Sequence, residues 1–114
     1  MATVVQMKMQ SKGSLSEISS RLRYTLVGFD EFELVCCHHR SHSTFLCFER
    51  YYRRTKSYAT LSILLCDEKE VLSADLVGSG GGVGFLNRNY GVNEAIVFKA
   101  VKLLEEIGFR KIIE

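Results

Sequence analysis

Residues 57–80 read SYATLSILLCDEKEVLSADLVGSG. Leu61, Ile63 and Leu65 recur at every second position, which places them on one face of an extended chain. A short charged turn, DEK at 67–69, leads into a second strand-like run, EVLSADLVG at 70–78. Two strands joined by so short a connection pair antiparallel. Two similar runs precede them. EFELVCCH at 31–38 sets Phe32, Leu34 and Cys36 against Glu31 and Glu33, and STFLCFERYYRR at 43–54 is dense in aromatics. Four strands therefore follow one another without a helical interruption, and an antiparallel sheet is expected.

The flanking segments supply the remaining elements. Residues 2–10 alternate Val5, Met7 and Met9 with Val4, Gln6, Lys8 and Gln10, the pattern of a half-buried strand. Ser14 and Glu17 then form a capping box that opens a helix over 15–27. Leu15, Ile18, Leu22, Leu26 and then Phe29 make its apolar stripe, and Gly28 is placed for a left-handed stop. A second helix is read in NEAIVFKAVKLLEEIGF at 93–109, with Asn93 as its cap, Gly108 as its stop, and Ile96, Val97, Ala100, Val101, Leu103, Leu104 and Ile107 on its apolar face. The tail after Phe109 reads equally as a short strand or a packed extension. The order strand, helix, four strands, helix describes a single two-layer α+β domain over 1–114, with both helices covering one side of a mainly antiparallel sheet. This order resembles the TATA-binding-protein-like and helix-grip topologies, a likeness of fold that carries no activity.

Bulk properties bound the function classes. Hydrophobic residues are 46% and charged residues 25% of the 114, the composition of an ordinary globular domain with one core. The net charge of +2, from 15 basic and 13 acidic side chains, gives no global attraction for a polyanion, so nucleic acid is disfavoured as a partner. No apolar run is long enough to span a bilayer, and the amino terminus lacks a secretion signal, so the expectation is a cytoplasmic protein without a membrane partner. Cys36, Cys37, Cys47 and Cys66 show no CxxC spacing and fit reduced, partly buried thiols.

Five of the nine glycines fall in GSGGGVG at 78–84. Neither the dinucleotide fingerprint nor the P-loop spacing is met, and about eight residues separate the run from the second helix. Glycine's access to positive φ suits it to a bulge, a corner or a close backbone approach, and that structural use is preferred. The functional alternative is an anion-binding nest of the Ser79, Gly80, Gly81 and Gly82 amides, with Arg88 as counter-charge.

Two further clusters carry chemistry-bearing residues. CCHHRSH at 36–42 gathers thiols and imidazoles, and Cys37 and His39 share a face by parity. A zinc site would draw on Cys37, His39 and His42, but no second ligand pair follows at a recognised spacing, so no metal or other cofactor is assigned. A Cys and His nucleophilic pair is chemically available here, though sequence adjacency alone does not supply the geometry. ERYYRRTKSY at 49–58 interleaves Arg50, Arg53, Arg54 and Lys56 with Tyr51, Tyr52 and Tyr58. It suits an interaction surface, including a homodimer through the sheet, better than a stacking platform for single strands.

The segments FERYYRR, YATLSILL and GSGGGVG, with YG following at 90–91, resemble a family of small uncharacterised bacterial proteins, a domain of unknown function. That family carries a Glu-Lys/Arg-Tyr-Tyr strand motif and a Gly-Ser-Gly-Gly-Gly turn. The likeness runs from about residue 5 to 109, and Asn89 and Tyr90 stand where the family tends to have an acidic and aromatic pair. The resemblance implies no activity. It does imply that the tyrosine segment and the glycine turn meet, which makes Glu49, Tyr51, Tyr52, Ser79 and Tyr90 candidates for one pocket or interface. The leading expectation is a non-enzymatic domain that binds a small molecule or a second copy of itself. The alternative is an enzyme that uses Glu49 with Tyr51 or Tyr52 and the glycine loop as an anion site.

Overall fold

The computed structural model describes residues 2–10, 13–53, 56–80 and 91–112. The elements run β1 (Thr3–Gln10), α1 (Leu15–Gly28), β2 (Glu33–His39), β3 (Ser43–Tyr52), β4 (Ser57–Glu68), β5 (Val71–Gly80), α2 (Val92–Ile107) and β6 (Arg110–Lys111). All six strands join one sheet in the order β2-β3-β4-β5-β1-β6, and every pairing is antiparallel. The chain is thus of the α+β class. The tail forms a strand, two residues long, paired with β1 at Met7 and Lys8.

The two-residue period decides what is buried. Met7 of β1, Leu46 and Phe48 of β3, Leu61, Ile63 and Leu65 of β4, and Leu72, Ala74 and Leu76 of β5 have no exposed surface. They form one cluster with Ile18, Leu22 and Leu26 of α1 and with Ile96, Val97, Ala100, Val101 and Leu104 of α2. Burying a side chain of this size contributes roughly 1.5–3 kcal/mol.

The helix ends differ in part from expectation. Ser14 caps α1 as its spacing predicts, its Oγ accepting from the Glu17 amide at 3.3 Å. Gly28, however, is the last helical residue and has no positive φ, and Phe29, expected on the apolar stripe, lies past the helix and is exposed. Phe29 and Asp30 both donate their amides to the Thr25 carbonyl, and the left-handed residue comes later, at Glu31 (φ 63°). Asn93 does not cap α2. That position belongs to Gly91 (φ 78°), while Asn93 lies buried in the first turn. At the other end Gly108 stops the helix as expected, at φ 132°, with its amide on the Leu104 carbonyl.

The pattern on β2 is also altered. A bulge between Leu34 and Cys36 inserts Val35 as an extra residue. Leu34 stays opposite buried Phe48, but Cys36 moves opposite Cys47 on the far face, and Cys37 takes the inward position opposite Leu46. The expected grouping of Phe32, Leu34 and Cys36 on one face is therefore corrected: Phe32 precedes the strand and is buried, and Cys37 joins Leu34 against the core.

Gly78 shows why β5 ends in glycine. A Cβ there would lie 2.5 Å from the Asn93 carbonyl oxygen and 2.6 Å from Val97 Cγ2, so α2 crosses the strand closer than any side chain permits. Gly78→Ala is expected to lower stability by about 1–3 kcal/mol, because helix backbone must move. Gly28→Ala meets open space and should be neutral or raise stability by up to about 1 kcal/mol. Urea unfolding of the two variants checks the contrast; equal effects would remove the close-approach reading of Gly78.

Candidate functional site

The strand residues that do not face the core form a second surface. Registered rows run across it: Cys36, Cys47, Ser62, Val77 and Val4; then His38, Phe45, Leu64, Asp75 and Gln6. Val4 is 62% and Phe45 36% exposed, and Leu64 and Val77 are half-buried. Phe45 sits directly opposite Leu64, and Val77 directly opposite Val4. Diagonal neighbours on a sheet lie about 7–8 Å apart, within reach of one another, so these four side chains make an oblique apolar band. The band was not singled out in the sequence, although the alternation that hides Leu61 and Ile63 necessarily turns Leu64 outward.

One end of this face holds the tyrosines. Tyr51 and Tyr58 are cross-strand partners, their rings edge to face at 5.2 Å, and both are about half exposed. The next row is Glu33, Glu49, Thr60 and Ser79, and Gly80 pairs with Ala59 beside Tyr58. Gly80 has φ +79°, and a Cβ there would stand 2.9 Å from the Tyr58 carbonyl oxygen. Glu49, Tyr51 and Ser79 therefore share one end of one face, with β4 between the glutamate and the serine, while Gly80, opposite buried Ala59, has the other parity. Gly81, Gly82, Arg88 and Tyr90, with Arg54 of the basic turn, lie outside the described residues.

Tyr52 does not share that face. It points to the helix side, where the Arg50 guanidinium lies over its ring at 4.9 Å and over Phe32 at 5.9 Å. Glu49 and Tyr52 are thus held on opposite sides of β3, and Arg50 is turned away from the exposed tyrosines. A depression of about 390 Å³ opens at the strand end between Glu31, Glu33, Arg50, Tyr51, Tyr52 and Arg53. The Tyr52 hydroxyl is buried and makes no hydrogen bond among the described residues, the arginine covering the ring instead.

The thiol and imidazole segment has a different geometry. Cys37 and His39 face the helix side, with Cys37 Sγ 3.5 Å from His39 Nε2. His39 Nδ1 is 3.1 Å from Thr44 Oγ1, directly across the β2–β3 pair. His42 falls in the connection between those strands, where its carbonyl accepts from the Asp67 amide. Among the described residues no three His, Cys, Asp or Glu side chains are gathered as for a metal ion, and no helix is long and apolar enough to cross a membrane.

Burial pushes the Tyr52 phenol above its ordinary value of 10.0, with Arg50 opposing the shift and Asp30 adding to it. Burial likewise raises the Cys47 and Cys66 thiols above 9.0, against hydrogen bonds from Ser62 and Ser73. Each folded group holds its proton to higher pH than in the unfolded chain. The stabilisation is complete below the unfolded value and is lost as pH rises through the folded one. Urea unfolding from pH 8 to 11 should show stability falling above about pH 9 and again above about pH 10. Tyr52→Phe is expected to flatten the second fall, and an unchanged slope would contradict the burial of this phenol.

No curated protein matches the chain. The model of a family of unknown function, DUF6054, matches residues 5–108, and the chain belongs to that family.

Proposed function

We propose that the domain is a non-enzymatic interaction module whose open sheet face pairs with the same face of a second copy. The observation that carries this reading is the apolar band of Val4, Phe45, Leu64 and Val77, flanked by the exposed Tyr51–Tyr58 pair, on the side of the sheet opposite the buried cluster. Aromatic residues mark interfaces, and an apolar band of this kind on a sheet face is ordinarily covered.

A second copy fits in size and charge. Five strands about 4.8 Å apart and roughly ten residues long present a face on the order of 700 Å². Two such faces bury enough area for a specific dimer, which needs about 1,000 Å² or more in total. Glu33 and Glu49 form an acidic corner, and Lys8 stands at the opposite corner of the same face. A two-fold axis lying in the interface and perpendicular to the diagonal between these corners brings acid onto base twice, the self-complementarity that an isologous contact requires. The result is a sandwich of two sheets with helices outside. The strand order further supports reading the fold as TATA-binding-protein-like or helix-grip-like. The four free thiols favour a reducing, cytoplasmic setting.

Native mass spectrometry and light scattering at about 100 µM test this. At that concentration even a dimer worth only about 5.5 kcal/mol is half formed. The expected result is a dimer that Leu64→Lys converts to a folded monomer. A monomeric wild-type protein would overturn the reading, as would a dimer indifferent to Leu64→Lys.

A further inference from the structure

The helix side of β2 carries a constellation that the open-face reading does not use. Cys37 Sγ, His39 Nε2, His39 Nδ1 and Thr44 Oγ1 follow one another at 3.5 Å and 3.1 Å, the order of a nucleophile, its base and the group that orients the base. The second contact is compatible with the tautomer the first requires, since the threonine hydroxyl can accept as well as donate. With Nδ1–H donated to the threonine oxygen, Nε2 is left to accept the thiol proton. Thr44 is 2% exposed and so rigidly placed, whereas His39 is exposed and Cys37 half-buried. Ser19 of α1 places its Oγ 3.8 Å from the sulfur, where its hydroxyl can donate to a thiolate.

Beside this group runs a groove of about 530 Å³ along the α1–β2 seam, lined by Ser20, Arg23, Tyr24, Val27, Gly28 and Leu34. Ser20 and Arg23 follow Ser19 by one and four residues, so the guanidinium is rooted about one helical turn, some 6 Å, from the residue that touches the sulfur. The groove offers apolar side chains and the positive charge of exposed Arg23 to a small molecule that reaches Cys37.

We propose that Cys37 is a nucleophilic thiol, activated by His39 and Thr44, that exchanges with a low-molecular-weight disulfide bearing a carboxylate held by Arg23. The Cys37 proton passes to His39 Nε2 as Sγ attacks one sulfur of the disulfide. The ligand's S–S bond breaks, a new S–S bond to Cys37 forms, and the departing thiolate takes the proton from His39. One thiol and one disulfide give one mixed disulfide and one thiol, with no further oxidant. His39 acts on the reacting atom, and Thr44 is a positioning residue.

The test is the rate of iodoacetamide alkylation at each cysteine near pH 7.5, followed by peptide mass spectrometry, and then incubation with oxidised glutathione. Cys37 is expected to react roughly tenfold faster than Cys36, since only Cys37 has an imidazole within reach to take its proton. His39→Gln should bring Cys37 down to the Cys36 rate while the rates of Cys47 and Cys66, half-buried and away from the histidine, stay unchanged. Thr44→Val should lower the Cys37 rate and Thr44→Ser restore it. Oxidised glutathione should add its half-mass at Cys37, more slowly in Arg23→Gln. A Cys37 rate equal to that of Cys36, a rate insensitive to His39→Gln, or the absence of the glutathione adduct at Cys37 would each overturn the proposal. Leu64→Lys should leave the rate of Cys37, on the helix side of the sheet, unaltered, which separates this outcome from that of the dimer experiment.

Discussion

The central strand β4 packs against both helices, and the burial of Leu61, Ile63 and Leu65 beneath them is the constraint on which everything else depends. These side chains fix which face of the sheet is core. Once β4 is oriented, its register with β3 and β5 dictates the facing of every residue on those strands, because a slip by one position would expose the whole set. The outward surface is therefore a by-product of the core. Leu64 lies between Ile63 and Leu65 and cannot be buried with them. Gly78 belongs to the same constraint: α2 reaches Leu72, Ala74 and Leu76 closely because the strand beneath its first turn carries no side chain.

The two surfaces divide the chemistry by parity. Consecutive residues of β3 illustrate this, with Glu49 and Tyr51 outward and Arg50 and Tyr52 inward. A segment that reads as one cluster, ERYYRR, is separated by its own strand into an exposed tyrosine pair and a stacked arginine over a buried phenol. The thiols divide in the same way. Cys36 and Cys47 face each other on the open side, while Cys37 meets an imidazole under α1.

Much of this was legible in the sequence. The period-two alternation of 57–80 and the Ser14–Glu17 spacing are local signals, and they gave the strands of the central hairpin and the start of α1. The sharing of a face by Cys37 and His39 followed from parity alone. What parity could not supply was the partner: Thr44 comes opposite His39 only through the β2–β3 register, and Ser19 reaches the sulfur only through packing of α1. The bulge at Val35 escaped notice because a bulge is defined by pairing with another strand. Gly28 misled for a related reason. A helix can end without a left-handed residue when the following amides fold back onto one carbonyl, here that of Thr25.

That bulge also bears on how the sheet meets its own kind. β2 is an edge strand, and a flat edge is a template for end-to-end growth. An extra residue with Val35 turned out of the ladder, next to charged Glu33, breaks the even spacing of amides and carbonyls that an incoming strand would need. At the other margin, among the described residues, β6 pairs with β1 only at Met7 and Lys8, and both of its residues are basic. The irregular edge of β2 accords with the proposed association by stacked faces. Face stacking of a two-layer domain saturates at two copies, so the dimer proposed above would be a closed assembly, and the irregularity in β2 disfavours growth from that edge into a fibre.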